Sequence, residues 1–291
     1  MKDLIVITSS IDEIKNLDAD SFLIGNKYGV RTNRVFSKEE TLEIKDIVSK
    51  RGKRLYILVN KIFLQDELDG LFNYLSWLKS IDVDGIFFSD LGVITMGEQL
   101  GIKDKLVYFS ETQMVNHKDC EFFVNQGLKG VILSKELPLE DIITTSKLVK
   151  GNLGMIIHGY LHMFYSKRKI LRNFFEKYNQ EYEYQNKRTL KLKEQKRNEY
   201  YPIYEDENGS YIFSHGCMSS LNDFKEIVNS DLKMFIIDSI FLSKEHVKNA
   251  LDYYKKILNG IDGDYQKLIE EEFKEVDFTT GFLHHQTGIY K

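Results

Sequence analysis

Apolar residues along this chain gather in short blocks, at residues 4–8, 22–25, 55–60, 85–89, 106–109, 130–133, 155–158 and 234–237. Each block is rich in Val, Ile, Leu and Phe and is apolar on both faces, as a parallel strand covered by helices must be. Between the blocks the period changes to that of a helix. Ser37 is placed to cap one helix, with Glu40 at the capping-box position. Residues 65–80 align Leu68, Leu71, Phe72, Leu75 and Leu78 on one stripe. Pro138 suits the first turn of a helix reaching Leu148, and residues 243–258 form the last of the set. Strand–helix alternation with eight strands predicts an α/β fold of the (β/α)8 TIM-barrel type. A doubly wound open sheet is the rival, but it usually has fewer strands, and no GxGxxG follows the first block.

One interval breaks the rhythm. About 75 residues separate the seventh block from the eighth, far beyond an ordinary strand-to-helix loop. The pattern there predicts a basic helix over 166–197, then a hairpin whose arms, 200–205 and 210–214, flank Asn208-Gly209, then a helix over 219–228. The expected organisation is one barrel over 1–291, with an insertion over 160–218 at the C-terminal face that would serve as lid, binding arm or dimerisation element.

Composition narrows the class. A hydrophobic share of 42% and a charged share of 29% are those of a soluble globular chain. The N-terminus shows no signal-peptide pattern, and no apolar run nears the roughly 20 residues a membrane helix needs. Two cysteines, Cys120 and Cys217, lie far apart, as expected of a protein in the reducing cytoplasm. The net charge of −4 conceals an asymmetry. Residues 166–197 carry eleven Lys/Arg against four Glu, so one island of +7 sits on a body of −11. Aromatics (Phe164, Tyr165, Phe174, Phe175) are interleaved with its first cations, Lys167, Arg168, Lys169 and Arg172, the expected RNA- or anion-binding residues; a solvated helical face is the plainer alternative.

In a barrel, side chains at the C-terminal strand ends face the site. Here they include Asn60, Lys61, Glu111, Lys135, His158 and Asp238. Glu111 follows a buried run, so burial is expected to raise its pKa toward acid–base use, and His158 ends the most apolar strand. With Asn60, Lys61, Asp238 and Cys217 they form the candidate catalytic set. His158 and His162 are four apart, but Gly159 occupies the acid's place of HExxH and the His-Gly pair reads as a turn, so no metal site is expected. Cys120 lies in a helix-like stretch and reads as packing.

Several segments, in order, are VNKIFLQDELDGL (59–71), FSETQMVN (109–116), LSKELPLEDI (133–142), IIHGYLHMFYSKR (156–168), HGCMSSLNDF (215–224) and FTTGF (278–282). Together they resemble the U32 peptidase family, in particular its shorter, YrrN-like subgroup of Gram-positive bacteria. The resemblance implies a barrel, and either a collagenase-type peptidase without agreed catalytic residues or a role in hydroxylating tRNA uridine or ribosomal RNA cytidine, or in ubiquinone synthesis. Several such members hold an iron–sulfur cluster through cysteines. Here His162 stands where the family's cysteine would be, two cysteines cannot supply four thiolates, and Asp238-Ser239-Ile240 replaces the family's EGR-type segment. A cluster of that kind is therefore not expected, and the cofactor stays unassigned. The expected function is tRNA modification (5-hydroxyuridine formation), as enzyme or as partner subunit. Expected partners are tRNA and a longer paralogue, with a homo-oligomer left open; a peptidase is the alternative.

Overall fold

The computed structural model describes residues 2–196 and 198–285. Its strands are β1 (Asp3–Ile7), β2 (Ser21–Gly25), β3 (Arg54–Val59), β4 (Gly85–Phe88), β5 (Leu106–Tyr108), β6 (Gly130–Ile132), β7 (Leu153–Ser166), β8 (Lys191–Lys193), β9 (Tyr200–Asp206), β10 (Gly209–Ser219), β11 (Met234–Asp238) and β12 (Phe278–Thr279). Its helices are α1 (Ile11–Asn16), α2 (Lys38–Lys50), α3 (Leu68–Ser80), α4 (Gly92–Leu100), α5 (His117–Asn125), α6 (Leu139–Leu148), α7 (Ile170–Lys177), α8 (Phe224–Asn229), α9 (Lys244–Leu258) and α10 (Tyr265–Glu272). Strands β1 to β7 pair in sequence, all parallel, and β11 closes the ring between β7 and β1. The protein is a (β/α)8 TIM-type barrel.

The eight apolar blocks are the eight barrel strands, each within a residue or two at its start. They are buried on both faces because helices cover the outside and side chains fill the inside. Ser37 caps α2 with the reciprocal Glu40 bond in place, and Pro138 and Ser243 precede α6 and α9. At the N-terminal pole, Asp3 is held by Ser21, Tyr56 and Arg54, a buried plug of the kind that stabilises a barrel floor. No helix among the described residues is long and apolar enough to cross a membrane.

Three expectations fail between β7 and β11. The His-Gly pair is not a turn, because β7 runs on for 14 residues to Ser166. Its first half pairs with β11, and its second half pairs antiparallel with β10, which runs back from the hairpin. A partner so distant in sequence leaves no local signal. Gly159 lies within the strand at φ +128°, where a Cβ would meet the Asp238 carbonyl oxygen at 2.6 Å; only glycine fits. The basic helix is also short. It ends at Lys177, where Asn179 takes φ +53° and the amides of Asn179 and Gln180 return to the carbonyls of Glu176 and Phe175, a Schellman closure. Beyond it residues 178–196 have no apolar stripe to bury, and a helix there would gain no packing. Finally, Ser219 ends β10 instead of opening a helix, which starts at Phe224.

The hairpin itself is as expected. Asp206 accepts bonds from the amides of Asn208 and Gly209 through its side chain. A second, smaller apolar cluster of Val30, Tyr204, Tyr211, Phe213 and Ile240 seats it on the loops after β2 and β11. The arm formed by β7's outer half, α7 and β8–β10 is thus packed over the C-terminal mouth.

Candidate functional site

Under the hairpin, side chains from five strand ends enclose a narrow cavity lined by Arg31, Asn60, Glu111, Tyr160, His162 and Asp238 over an apolar floor of Ile7, Leu58, Phe109 and Ile156. The space open to a water-sized sphere is ≈ 10 Å³, about the least that holds one water.

Glu111 is its centre. It sits at φ +68°, only 6% exposed. Its carboxylate pairs with the Arg31 guanidinium, with Lys135 Nζ at 3.3 Å and with His162 Nδ1 at 3.2 Å. Burial alone would raise its pKa, but Arg31, Lys135 and His162 together outweigh burial and hold it well below the usual range. The expected direction is thus reversed: Glu111 is a fixed anion. His162 offers its other ring nitrogen to the Phe164 carbonyl at 2.8 Å. Burial lowers its pKa, with Arg31 and Lys135 adding to that effect against the pull of Glu111. Asp238 is the group that titrates near neutrality. Burial pushes it up to about 7, Glu111 adds to this, and the Ile240 amide at 3.0 Å opposes it.

Arg31 was not among the residues singled out from sequence. It lies five residues beyond Asn26 in the loop after β2, and the barrel rule would have reached it had the whole loop been read. Asn60 explains its placement. The Asn60 carboxamide accepts from the Val30 amide at 2.8 Å and donates to the Val30 carbonyl at 3.0 Å. Both its polar ends are committed to the residue before Arg31, so Asn60 positions the guanidinium. Lys61 points to the rim, where it pairs with Glu67.

His158 stands apart. One extra residue in β7 between the Ile236 and Ile237 pairings breaks the inward–outward alternation. Ile156 therefore faces the cavity, whereas His158, wholly buried, meets His246 and Tyr254 on α9, with Cys217 of β10 alongside. Cys120 packs in α5. The histidines four apart therefore serve different neighbourhoods. The four thiolates of an iron–sulfur cluster cannot be assembled from Cys120 and Cys217, and His162, at the family's cysteine position, has both ring nitrogens engaged; the residues do not fit that group.

The cationic segment leaves β7 directly above this cavity. Lys167 and Arg168 are exposed, Lys169 donates to the Asp206 carbonyl, and Arg172 reaches Gln185 at 3.0 Å and lies over the Tyr182 ring. Arg188 bonds the Thr32 carbonyl beside Arg31 and covers Tyr204. Island and cavity share one pole. Arg197, counted in the island, lies outside the described residues.

Comparison with known proteins finds sequence relatives over most of the chain. The tRNA hydroxylation protein P2 of Bacillus subtilis is 28% identical over 281 residues, 94% of this chain and 90% of that protein. The tRNA hydroxylation protein P1 of the same organism is 28% identical over 153 residues, 52% of this chain and 36% of its own length. This chain therefore spans nearly all of the first and about a third of the second. The solved structure of the U32 peptidase Mk0906 aligns at a TM-score of 0.47 and 15% identity, over 55% of this chain and 70% of that one. A sequence model of Peptidase family U32 matches residues 9–290, and with nearly every residue covered, the chain belongs to that family.

Proposed function

We propose that this protein acts in the hydroxylation of tRNA uridine in the cytoplasm, as the modifying enzyme or as one of a pair of related subunits. The observation that carries the reading is similarity to a tRNA hydroxylation protein over 94% of the chain. The placement of the cationic arm over the mouth supports it. Exposed Lys167, Arg168 and Arg172 supply phosphate contacts, and the neighbouring aromatics supply stacking surfaces. In the cavity, Glu111 holds Arg31, Lys135 and His162 in fixed positions, which leaves an electropositive pocket beside Asp238. Asp238 can hold or give up a proton near neutral pH. None of these side chains is redox-active, so their work is binding, orientation and proton placement. A thiol-peptidase reading has less support: Cys217 and His158 are both wholly buried, and burial raises the thiol's pKa, the reverse of an activated nucleophile.

Nucleoside mass spectrometry of tRNA from a strain lacking the protein tests this. Loss of 5-hydroxyuridine, restored by the wild-type chain but not by K167E/R168E/R172E, is expected. Three lost phosphate contacts should also flatten the log–log salt dependence of tRNA binding by about 2–3. Unchanged 5-hydroxyuridine, together with tRNA binding indifferent to salt, would refute the proposal.

A further inference from the structure

We infer that His158, His246 and Cys217 form a site for one thiophilic divalent cation of the zinc class, set in the barrel wall apart from the Glu111 cavity. Three elements that are remote in sequence, β7, α9 and β10, each send one donor atom to the same point. His158 Nε2, His246 Nε2 and Cys217 Sγ all lie within 4.8 Å of one another, and all three residues are buried. Such a convergence of two imidazoles and a thiol is unusual packing for a wall otherwise filled with apolar and aromatic side chains.

The hydrogen bonds explain why a cation suits it. The Tyr254 hydroxyl donates to the Ile157 carbonyl at 2.7 Å and faces His158 Nδ1 at 3.4 Å. This arrangement places a proton on Nδ1 and turns the Nε2 lone pair toward the cluster. That one lone pair then faces His246 Nε2 at 2.8 Å and the Cys217 thiol at 3.6 Å, the thiol having the Met218 carbonyl at 3.5 Å as its other acceptor. A cation at the centre of the three takes a lone pair from each and displaces the protons between them. A hydrogen-bond acceptor on the rear nitrogen of a ligating histidine is the usual outer support of such a site, and the Tyr254 oxygen takes that place here.

The dimensions are close. Metal–nitrogen bonds of about 2.0–2.1 Å and metal–sulfur bonds of about 2.3 Å place tetrahedral N···S pairs about 3.6 Å apart and N···N pairs about 3.3 Å apart. The His158–Cys217 edge already has that length at 3.6 Å, the two imidazoles need to part by about 0.5 Å, and the Cys217–His246 edge lies within 4.8 Å. His246 is held in the first turn of α9 by the Ser243 cap and lies against Phe273 and Phe278, so the site is stiff. On binding, the thiol gives up its proton to solvent and the thiolate becomes the third ligand, leaving one position for water. A cation there would tie the root of the arm, on β7 and β10, to the outer helix α9.

The test uses the full chain, stripped with chelator and titrated with Co²⁺. One equivalent should bind with thiolate-to-cobalt charge-transfer absorption and be displaced by Zn²⁺. C217S should abolish that absorption, H246N should weaken binding by about tenfold or more, and C120S should change neither. X-ray absorption of the zinc-loaded wild type, which requires no variant to fold, should give two nitrogen ligands and one sulfur. Failure to take up a stoichiometric cation, or a metal environment without sulfur, would overturn the inference. Neither outcome bears on tRNA hydroxylation, which is read from nucleosides.

Discussion

Replacing Glu111 by Gln removes one charge and almost no volume. The left-handed backbone and the contacts around it are kept, so the loss isolates electrostatics. Lys135 Nζ stands 3.3 Å from the carboxylate, and at an effective dielectric of 20 such a pair attracts by about 5 kcal/mol. Arg31 contributes a second attraction of similar size. Desolvation of the carboxylate offsets much of this sum, and measured costs of orphaning buried charges are about 3–5 kcal/mol. E111Q should therefore lower stability by about 3–5 kcal/mol, a fall in Tm of roughly 5–15 °C. K135M in the same chain should return about 1–3 kcal/mol, since a lone cation is then no longer trapped. Urea and thermal unfolding of the four proteins, followed by circular dichroism, closes the cycle. A loss below about 1 kcal/mol, or strict additivity of the two changes, would mean that water screens the cluster and that Glu111 is not its keystone.

Asp238 carries the opposite sign. Its pKa rises in the fold from 3.8 to about 7, so stability present below pH 4 is lost as pH climbs through 7; water at its partly open face limits this to about 1–3 kcal/mol. D238N should match the wild type near pH 4 and exceed it in Tm at pH 8, and a gap that does not vary with pH would contradict that assignment. G159A should cost about 2–4 kcal/mol, because strain at positive φ adds to a clash with the Asp238 carbonyl; a chemical-denaturation midpoint within error of the wild type would show that the strand relaxes easily.

The barrel was legible because its signal is local. Both-face-apolar blocks such as 55–60 and 85–89 can be little else, and the Ser37 cap marks a helix start by residue type alone. The outer half of β7 was hidden for the converse reason: His162 to Ser166 form strand only because β10, some fifty residues later, supplies the partner. Polarity at strand ends found Glu111, Asn60 and Asp238, but not the state of Glu111. Burial of one residue can be guessed from its neighbours in sequence, whereas the cations that reverse the effect come from 80 residues before (Arg31) and 24 after (Lys135). The His158 cluster was out of reach similarly, since His246 lies 88 positions away on a helix whose sequence gives no hint of it.

One strand, β7, is shared by two ladders, with β11 below and β10 above. A flap hung on a loop could be removed without touching what lies beneath it, whereas this arm leaves the barrel as the continuation of a wall strand. The same stretch of backbone carries the His162 ring that meets Glu111, so the roof and the cavity's central anion belong to one piece, and trimming the roof back past His162 would take part of the site with it.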